Sequence, residues 1–359
     1  MPTDTLTLLE TITALSHEFG TDDYVRGGGG NSSAKDENTL WVKPSGTTLL
    51  DLIPDSFVAM SREKLTELYA VQAPDESHAR EALVKEYMEA AVLPASSGRA
   101  SVEAPLHSAL SARYVVHTHP YSVNGLTCAE QGATICRTLF PEALWLDFID
   151  PGFTLCVEVR KQIQAFLAQH GREPEVIFLK SHGVFVAGDS AEKVQSLYAT
   201  IFDVLKAAYA KHDISLALPI APVPDQTDAM IAQIKAAMPD AEKDVCIAVS
   251  GMFDYADGPI TPDHIVYEKS YPLVGEPTTE AIAAYQEKYG YTPWIIVWKD
   301  AVFGLGISEK RAGLALEMAQ DGALLKQLAP AFGGLSFMTE RARLFIENWE
   351  VESYRNKQI

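Results

Sequence analysis

The stretch VVHTHPYS, residues 115–122, sets two histidines, His117 and His119, one residue apart behind a pair of valines and ahead of Pro120. Side chains at i and i+2 of a β-strand leave it on the same face. If Val115 and Val116 mark a strand, both imidazoles stand together at its end. Two neutral imidazoles so placed can converge on one cation, at about 2.0–2.1 Å from each nitrogen. A third ligand is then needed, and His182 in EVIFLKSHG is the candidate, because Gly183 lets the backbone turn close beside it. Taken singly, each of these histidines would equally serve as a hydrogen-bonded core or surface residue.

Working outward, SVEAPLHSALSA (101–112) reads as a helix with Ser101 as N-cap, running into the histidine strand. Glu103 and His107 stand four apart in it and would share a face. A carboxylate near a bound cation can act as general base, or as a ligand; a solvated glutamate at a helix start is the plainer alternative. Upstream, Leu8, Ile12, Leu15 and Phe19 follow helical spacing toward Gly20, and RGGGG then leads into a hairpin containing NTLWVKPSG. Residues 77–92 read as a helix. Downstream, EALWLDFI reads as a strand, FTLCVEVRKQIQAFLAQHG as a helix closed by Gly171, and EVIFLKSHGVFVAGDS as two strands about a turn at His182 and Gly183. Asp189 or Ser190 caps a long helix after them. Helices layered on a sheet with short connections predict a three-layer α/β/α domain, its central sheet mostly antiparallel.

Two domains are expected: 1–214, carrying the histidines, and a C-terminal α/β extension, 215–359, behind the Pro-rich LALPIAPVPDQ. The second half holds an echo of the first. IIVWKDAVFGLGISEKRA matches VIFLKSHGVFVAGDSAEKV once one residue is skipped, setting Lys299, Val302, Phe303, Gly306 and Ser308 opposite Lys180, Val184, Phe185, Gly188 and Ser190. His182 has no counterpart. The match reads as a degenerate partial repeat, with chance similarity between two β-α junctions as the alternative.

Bulk properties narrow the partners. The chain has 359 residues, 47% of them hydrophobic, and a formal net charge of -19. That charge argues against nucleic acid, whose binding draws on clustered Lys and Arg. The first nineteen residues lack a basic start and an uninterrupted apolar core, and no run approaches the roughly 20 apolar residues of a membrane span. A cytoplasmic protein without a membrane segment is expected. Cys128, Cys136, Cys156 and Cys246 show no CxxC spacing and read as reduced thiols.

Three Gly/Ser-rich turns, GGGGNSSAK, KPSGTT and GRAS, offer backbone N–H groups and hydroxyls of the kind that cradle a phosphate. Lys43 and Lys35 are the cations nearest to them, and Asp263 and His264 are further candidates to approach the site from the second half.

The order of these motifs matters more than any one of them. A glycine loop ending in Gly30-Asn31, a strand into Pro-Ser45-Gly46, Ser101-x-Glu103 before a helix with His107, then HTHP and SHGVFVAG, resembles the class II aldolase/adducin head-domain family from about Asp22 to about Tyr209. The resemblance implies that His117, His119 and His182 bind a divalent metal, zinc by preference, and that Glu103 is the catalytic acid/base. It implies that Gly30, Asn31, Ser45, Gly46 and Ser101 hold the substrate phosphate; Lys43, by its place beside these turns, is a further candidate contact. It also implies a homo-oligomer, a tetramer by preference.

Aldolases of that family cleave ketose 1-phosphates to dihydroxyacetone phosphate and an aldehyde. The chemistry suits the residues, because breaking the C3–C4 bond leaves an enediolate whose charge a Lewis acid stabilises. Val102 stands where fuculose-phosphate aldolases carry a second serine. The added length, with GPITPDHIVYEKSYPL and FIENWEVESYR, looks like the aldolase half of bifunctional rhamnulose-1-phosphate aldolase/lactaldehyde dehydrogenase proteins, without a GxGxxG fingerprint. The expected function is cleavage of a (deoxy)ketose 1-phosphate such as L-rhamnulose 1-phosphate. The alternatives are a sugar-phosphate epimerase, a dehydratase or a sugar-acid decarboxylase on the same metal site, or a non-catalytic adducin-like scaffold.

Overall fold

The histidine segment forms strand β4 (Tyr114–Thr118) at the centre of a seven-stranded sheet in a computed structural model that describes residues 3–71, 74, 77–94, 96 and 98–349. Before it come α1 (Thr3–Glu18), β1 (Asn31–Lys35), β2 (Thr39–Val42), β3 (Val58–Ser61), α2 (Arg62–Glu67), α3 (Ser77–Ala91) and α4 (Ala104–Ala109). After it come α5 (Tyr121–Thr127), α6 (Gly132–Leu139), β5 (Leu144–Leu146), α7 (Phe153–His170), β6 (Val176–Leu179), β7 (Gly183–Gly188) and α8 (Ala191–Ala210). The strand order is β3-β2-β1-β4-β7-β6-β5. Every pair is antiparallel except β5 with β6, so the mostly antiparallel sheet expected from the short connections is the one found.

Alternation along β4 decides which side chain meets which layer. Val115 joins Leu106, Leu155, Val159, Ile163 and Phe185 in a buried cluster between the sheet and α4 with α7. Thr118, on the opposite face, meets the hydroxyl of Tyr198 on α8 at 2.7 Å. His117 follows Val115, and its ring stacks on Phe185 with centroids 3.8 Å apart. The histidine face of β4 is therefore the α4/α7 face, which brings the residues just before α4 to the metal-ligand candidates. Each fully buried Leu or Ile in such a layer contributes about 1.5–3 kcal/mol.

Three local expectations shift or hold. Ser101 is not the N-cap of α4: the helix starts at Ala104, with Pro105 in its first turn and Glu103 in the cap position, because Pro is favoured there and supplies no N–H of its own. The strand in EALWLDFI is confined to Leu144–Leu146. Gly171 does close α7, with φ 72°.

By internal contacts the described chain forms two units, one of residues up to 123 with 133–206, the other of 124–132 with 207 onward. The second continues with α9 (Thr227–Ala237), β8 (Cys246–Gly251), α10 (Pro262–Tyr267), β9 (Leu273–Val274), α11 (Thr279–Tyr289), β10 (Ile295–Trp298), β11 (Ala301–Gly306), α12 (Glu309–Leu328) and α13 (Glu340–Asn348). Its sheet runs β8-β11-β10-β9, antiparallel except for β9 with β10. That is the order and direction of β4-β7-β6-β5, and a 20-residue helix follows the last hairpin in both. The repeat read from one hairpin thus extends to four strands and a helix. Its counterparts of His117 and His119, by register on Phe303 and Ala301, are Val249 and Gly251.

Candidate functional site

His117 Nε2 lies 3.0 Å from His119 Nε2 and 3.4 Å from His182 Nε2. These three histidines form the one group among the described residues whose ligand atoms cluster as a metal site requires. Ligands about 2.0–2.1 Å from a tetrahedral ion are about 3.3 Å apart, so the spacing fits a single cation. The chemistry of the donors agrees. His117 Nδ1 donates to the carbonyl of Val184 at 3.0 Å, which leaves Nε2 as a lone pair facing the other two rings. Burial pushes the pKa of His117 well below its ordinary value, with His119 and His182 acting in the same direction and Glu103 against it. The ring is held neutral, as ligation demands.

The backbone permits this only at particular glycines. A Cβ on Gly183 would sit 2.3 Å from the carbonyl of Thr118 and 2.7 Å from His119 Cδ2. Ser181, one residue before His182, is held at φ 54° to aim the turn. Gly30, at φ 71°, passes within 3.0 Å of the His117 carbonyl, measured from where its Cβ would be.

Glu103 comes from the other side. Its Oε1 is 3.5 Å from His117 Nε2 and 3.9 Å from His182 Nε2. Its Oε2 accepts a 2.7 Å hydrogen bond from Asn31 Nδ2, which also donates to Ser101 Oγ at 2.7 Å. The Glu103 amide donates to Ser101 Oγ at 3.2 Å. Asn31 pairs with His117 in the β1–β4 register, so the sheet itself carries the amide to the carboxylate. Asn31, expected to hold a phosphate, has its Nδ2 turned toward Glu103, a link that depends on strands distant in sequence and leaves no sequence signal. Its Oδ1 is buried without a hydrogen-bond partner among the described residues.

The other phosphate candidates gather next to this arm. The Ser45 amide donates to the Arg99 carbonyl at 2.8 Å, the Ser101 amide to the Lys43 carbonyl at 3.2 Å, and Gly46 turns at φ 84°. Lys43 is buried. Lys35 lies elsewhere: it is at the far end of β1 from Asn31, and its Nζ donates to the carbonyls of Leu110 and Ala112, both at 2.9 Å. His107 is also outside the imidazole group. It is fully buried, shares a 2.8 Å hydrogen bond through Nδ1 with Ser33 Oγ, and burial brings its pKa down to about 3. Asp263 and His264 are buried on α10, where His264 Nδ1 pairs with Thr261 Oγ1 at 2.7 Å. All four cysteines are free thiols, and no described helix is long and apolar enough to cross a membrane.

Comparison with known proteins follows the same line. A curated relative from Bacillus subtilis (strain 168), described as an uncharacterized oxidoreductase, is 24% identical over 298 residues, which are 74% of this chain and 42% of that protein. The chain therefore spans less than half the length of that relative. Among solved structures, the N-terminal class II aldolase domain of a conserved Thermoplasma acidophilum protein shares 22% identity over 55% of this chain and 92% of its own, with a TM-score of 0.48. An L-fuculose-1-phosphate aldolase from Thermus thermophilus shares 17% over 58% and 96%, with a TM-score of 0.38. The model of the class II aldolase and adducin N-terminal domain matches residues 10–209, more than half of the chain, from within α1 into α8 and across all three imidazoles. On that match the chain belongs to the class II aldolase and adducin N-terminal domain family.

Proposed function

We propose that the chain is a metal-dependent aldolase that reversibly cleaves a ketose 1-phosphate, L-rhamnulose 1-phosphate being the first substrate to test, into dihydroxyacetone phosphate and an aldehyde. One observation carries the reading: three imidazole nitrogens lie within 4.8 Å of one another, and a carboxylate oxygen of Glu103 lies 3.5 Å from His117 Nε2 and 3.9 Å from His182 Nε2. His117, His119 and His182 would hold the ion. A divalent cation there, zinc by preference, supplies Lewis-acid stabilisation of the oxyanion charge that builds when the C3–C4 bond breaks.

The remaining work falls to the chain's own side chains. Glu103 takes a proton from the hydroxymethyl carbon of dihydroxyacetone phosphate in the synthetic direction and returns it in cleavage. Asn31 holds the carboxylate at one oxygen and so leaves Oε1 for the proton. Gly30, Ser45, Gly46, Ser101 and Lys43 are the proposed phosphate contacts, supported by the tie of the 43–46 turn to residues 99–101. Schiff-base chemistry is not required of Lys35, whose Nζ is engaged by two carbonyls away from the imidazoles. A homo-tetramer is the assembly we propose.

The test is an activity screen of the zinc-loaded protein against ketose 1-phosphates of rhamnulo and fuculo configuration, coupled to detection of triose phosphate. Release of triose phosphate and an aldehyde in equal amounts is expected. Conversion of a sugar phosphate without triose release would replace aldol cleavage by epimerisation or dehydration at the same ion, and loss of carbon dioxide from a sugar acid would replace it by decarboxylation.

A further inference from the structure

The four-strand repeat has two ends. In the first unit the histidines stand where β4 ends and β7 begins, and a separate cavity of about 450 Å³ lies at the opposite end, where β6 begins and β7 ends. Its polar groups satisfy one another. Lys193 pairs with Glu175 at 2.8 Å, Glu173 accepts from the Ser111 amide and hydroxyl at 2.8 Å, and Asp189 accepts from the Arg113 amide at 3.0 Å.

The second unit has a cavity at the corresponding end of its own sheet, larger at about 800 Å³ and within the range of small-ligand sites. Matching Val176 to Ile295 and Gly188 to Gly306 puts Thr292, Trp294 and Ile307 in the places of Glu173, Glu175 and Asp189, while Arg311 keeps the cation of Lys193. Three acids are gone from these positions, Glu242 on the rim accepts from Thr292 Oγ1 at 2.6 Å, and one cation is kept. A second cation joins it. Lys269 Nζ lies 4.9 Å from the ring centroids of both Tyr291 and Trp294, and Arg311 Cζ lies 5.6 Å from that of Trp294.

Lys269 is partly buried and makes no hydrogen bond or ion pair among the described residues; its contacts are these two rings. Its backbone sits at φ 71°, a left-handed conformation that non-glycine residues seldom adopt. Glu347, the carboxylate whose charge acts on Lys269, is already engaged by Arg343, by Ser270 at 2.7 Å and by Tyr291 at 3.1 Å. The acids of the rim, Glu242 and Asp244, are exposed, so water screens them while the two cations face a partly dry cavity. Leu305 and the 90% exposed Ile307 add an apolar edge.

We infer that this cavity is a second binding site, independent of the imidazole group, for a small planar organic anion: its carboxylate or phosphate meets Lys269 and Arg311, and its flat body lies against Trp294, Leu305 and Ile307. In the first unit the same location is closed by the protein's own carboxylates. In the second, Lys269 is left with no carboxylate bonded to its Nζ among the described residues.

The test uses the full, zinc-loaded chain and titration calorimetry with phenyl phosphate, benzoate and inorganic phosphate. Phenyl phosphate or benzoate should bind at one site, at least tenfold more tightly than inorganic phosphate. Lys269→Gln should weaken that event tenfold or more, Trp294→Glu should abolish it by restoring the acid of the first unit, and His119→Ala should leave it unchanged. Thermal unfolding checks each variant; if Trp294→Glu proves unstable, Lys269→Gln decides. No aromatic anion bound, or binding indifferent to Lys269→Gln, overturns the proposal. Binding lost in His119→Ala assigns the event to the imidazole group and overturns it equally, whether or not aldolase activity is found.

Discussion

Asn31 donates to Glu103 Oε2 at 2.7 Å from a strand position directly opposite His117. One residue pair thus ties the carboxylate to the sheet that bears the imidazoles. Hydrogen bonds to charged groups contribute about 1.5–3 kcal/mol. Replacing Asn31 with Ala should therefore lower kcat by about 10- to 100-fold with metal content unchanged. Loss of metal in Asn31→Ala, or an unaltered kcat with a raised KM, would return the residue to a phosphate-holding role.

Glu103→Gln keeps the shape of the arm and removes its ability to take a proton. We expect metal binding close to that of the parent and loss of most turnover, read by metal analysis beside single-turnover kinetics. Retained turnover would remove Glu103 from the chemistry.

His119→Ala should abolish both metal retention and activity, since two nitrogens close only half of a tetrahedral set. Treatment of the parent with a chelator should give the same inactive state, and added zinc should reverse it. A normal metal content in the variant would exclude His119 as a ligand.

Gly183→Ala forces a Cβ against the Thr118 carbonyl and the His119 ring, at 2.3 and 2.7 Å. Overpacking of this kind costs about 1–3 kcal/mol. A lower Tm and weakened metal binding together are expected, and a variant with parental values for both would show that the turn has slack.

Lys35 gives a pH signature. Burial lowers its pKa from 10.5 to about 7, with Arg62 adding to the shift. Between those values the unfolded chain binds the proton and the folded one does not, so this contribution to stability rises from about pH 7 to about pH 10.5. Below about pH 7 both states are protonated and the contribution is flat. The slope approaches about 1.4 kcal/mol per pH unit. Urea midpoints from about pH 7 to about pH 9.5 should climb more steeply for the parent than for Lys35→Met; parallel curves would contradict the burial argument.

The local features of the site are legible in the sequence because they obey short-range rules. The i, i+2 alternation puts His117 and the residue after the strand on one side, and Gly183 allows the turn that carries His182. The phosphate turns are legible as turns. The orientation of Asn31 is not, because it depends on β1 lying beside β4, a pairing between residues 86 apart in sequence, His117 and Asn31. Lys35 escapes the sequence reading for a related reason, since four residues of extended chain carry it roughly 13 Å along the sheet from Asn31. The extent of the repeat is hidden because β8 and β9 resemble β4 and β5 in pairing direction, not in composition.

The two hairpins of that repeat differ by one amino acid. Between Leu179 and Gly183 the chain uses three positions to reverse, and between Trp298 and Ala301 it uses two. The longer reversal includes His182, and the shorter one has no histidine. The imidazole group thus belongs to the hairpin with the longer reversal alone: its ring at residue 182 comes to 3.4 Å from His117, while the shorter reversal is Lys299-Asp300.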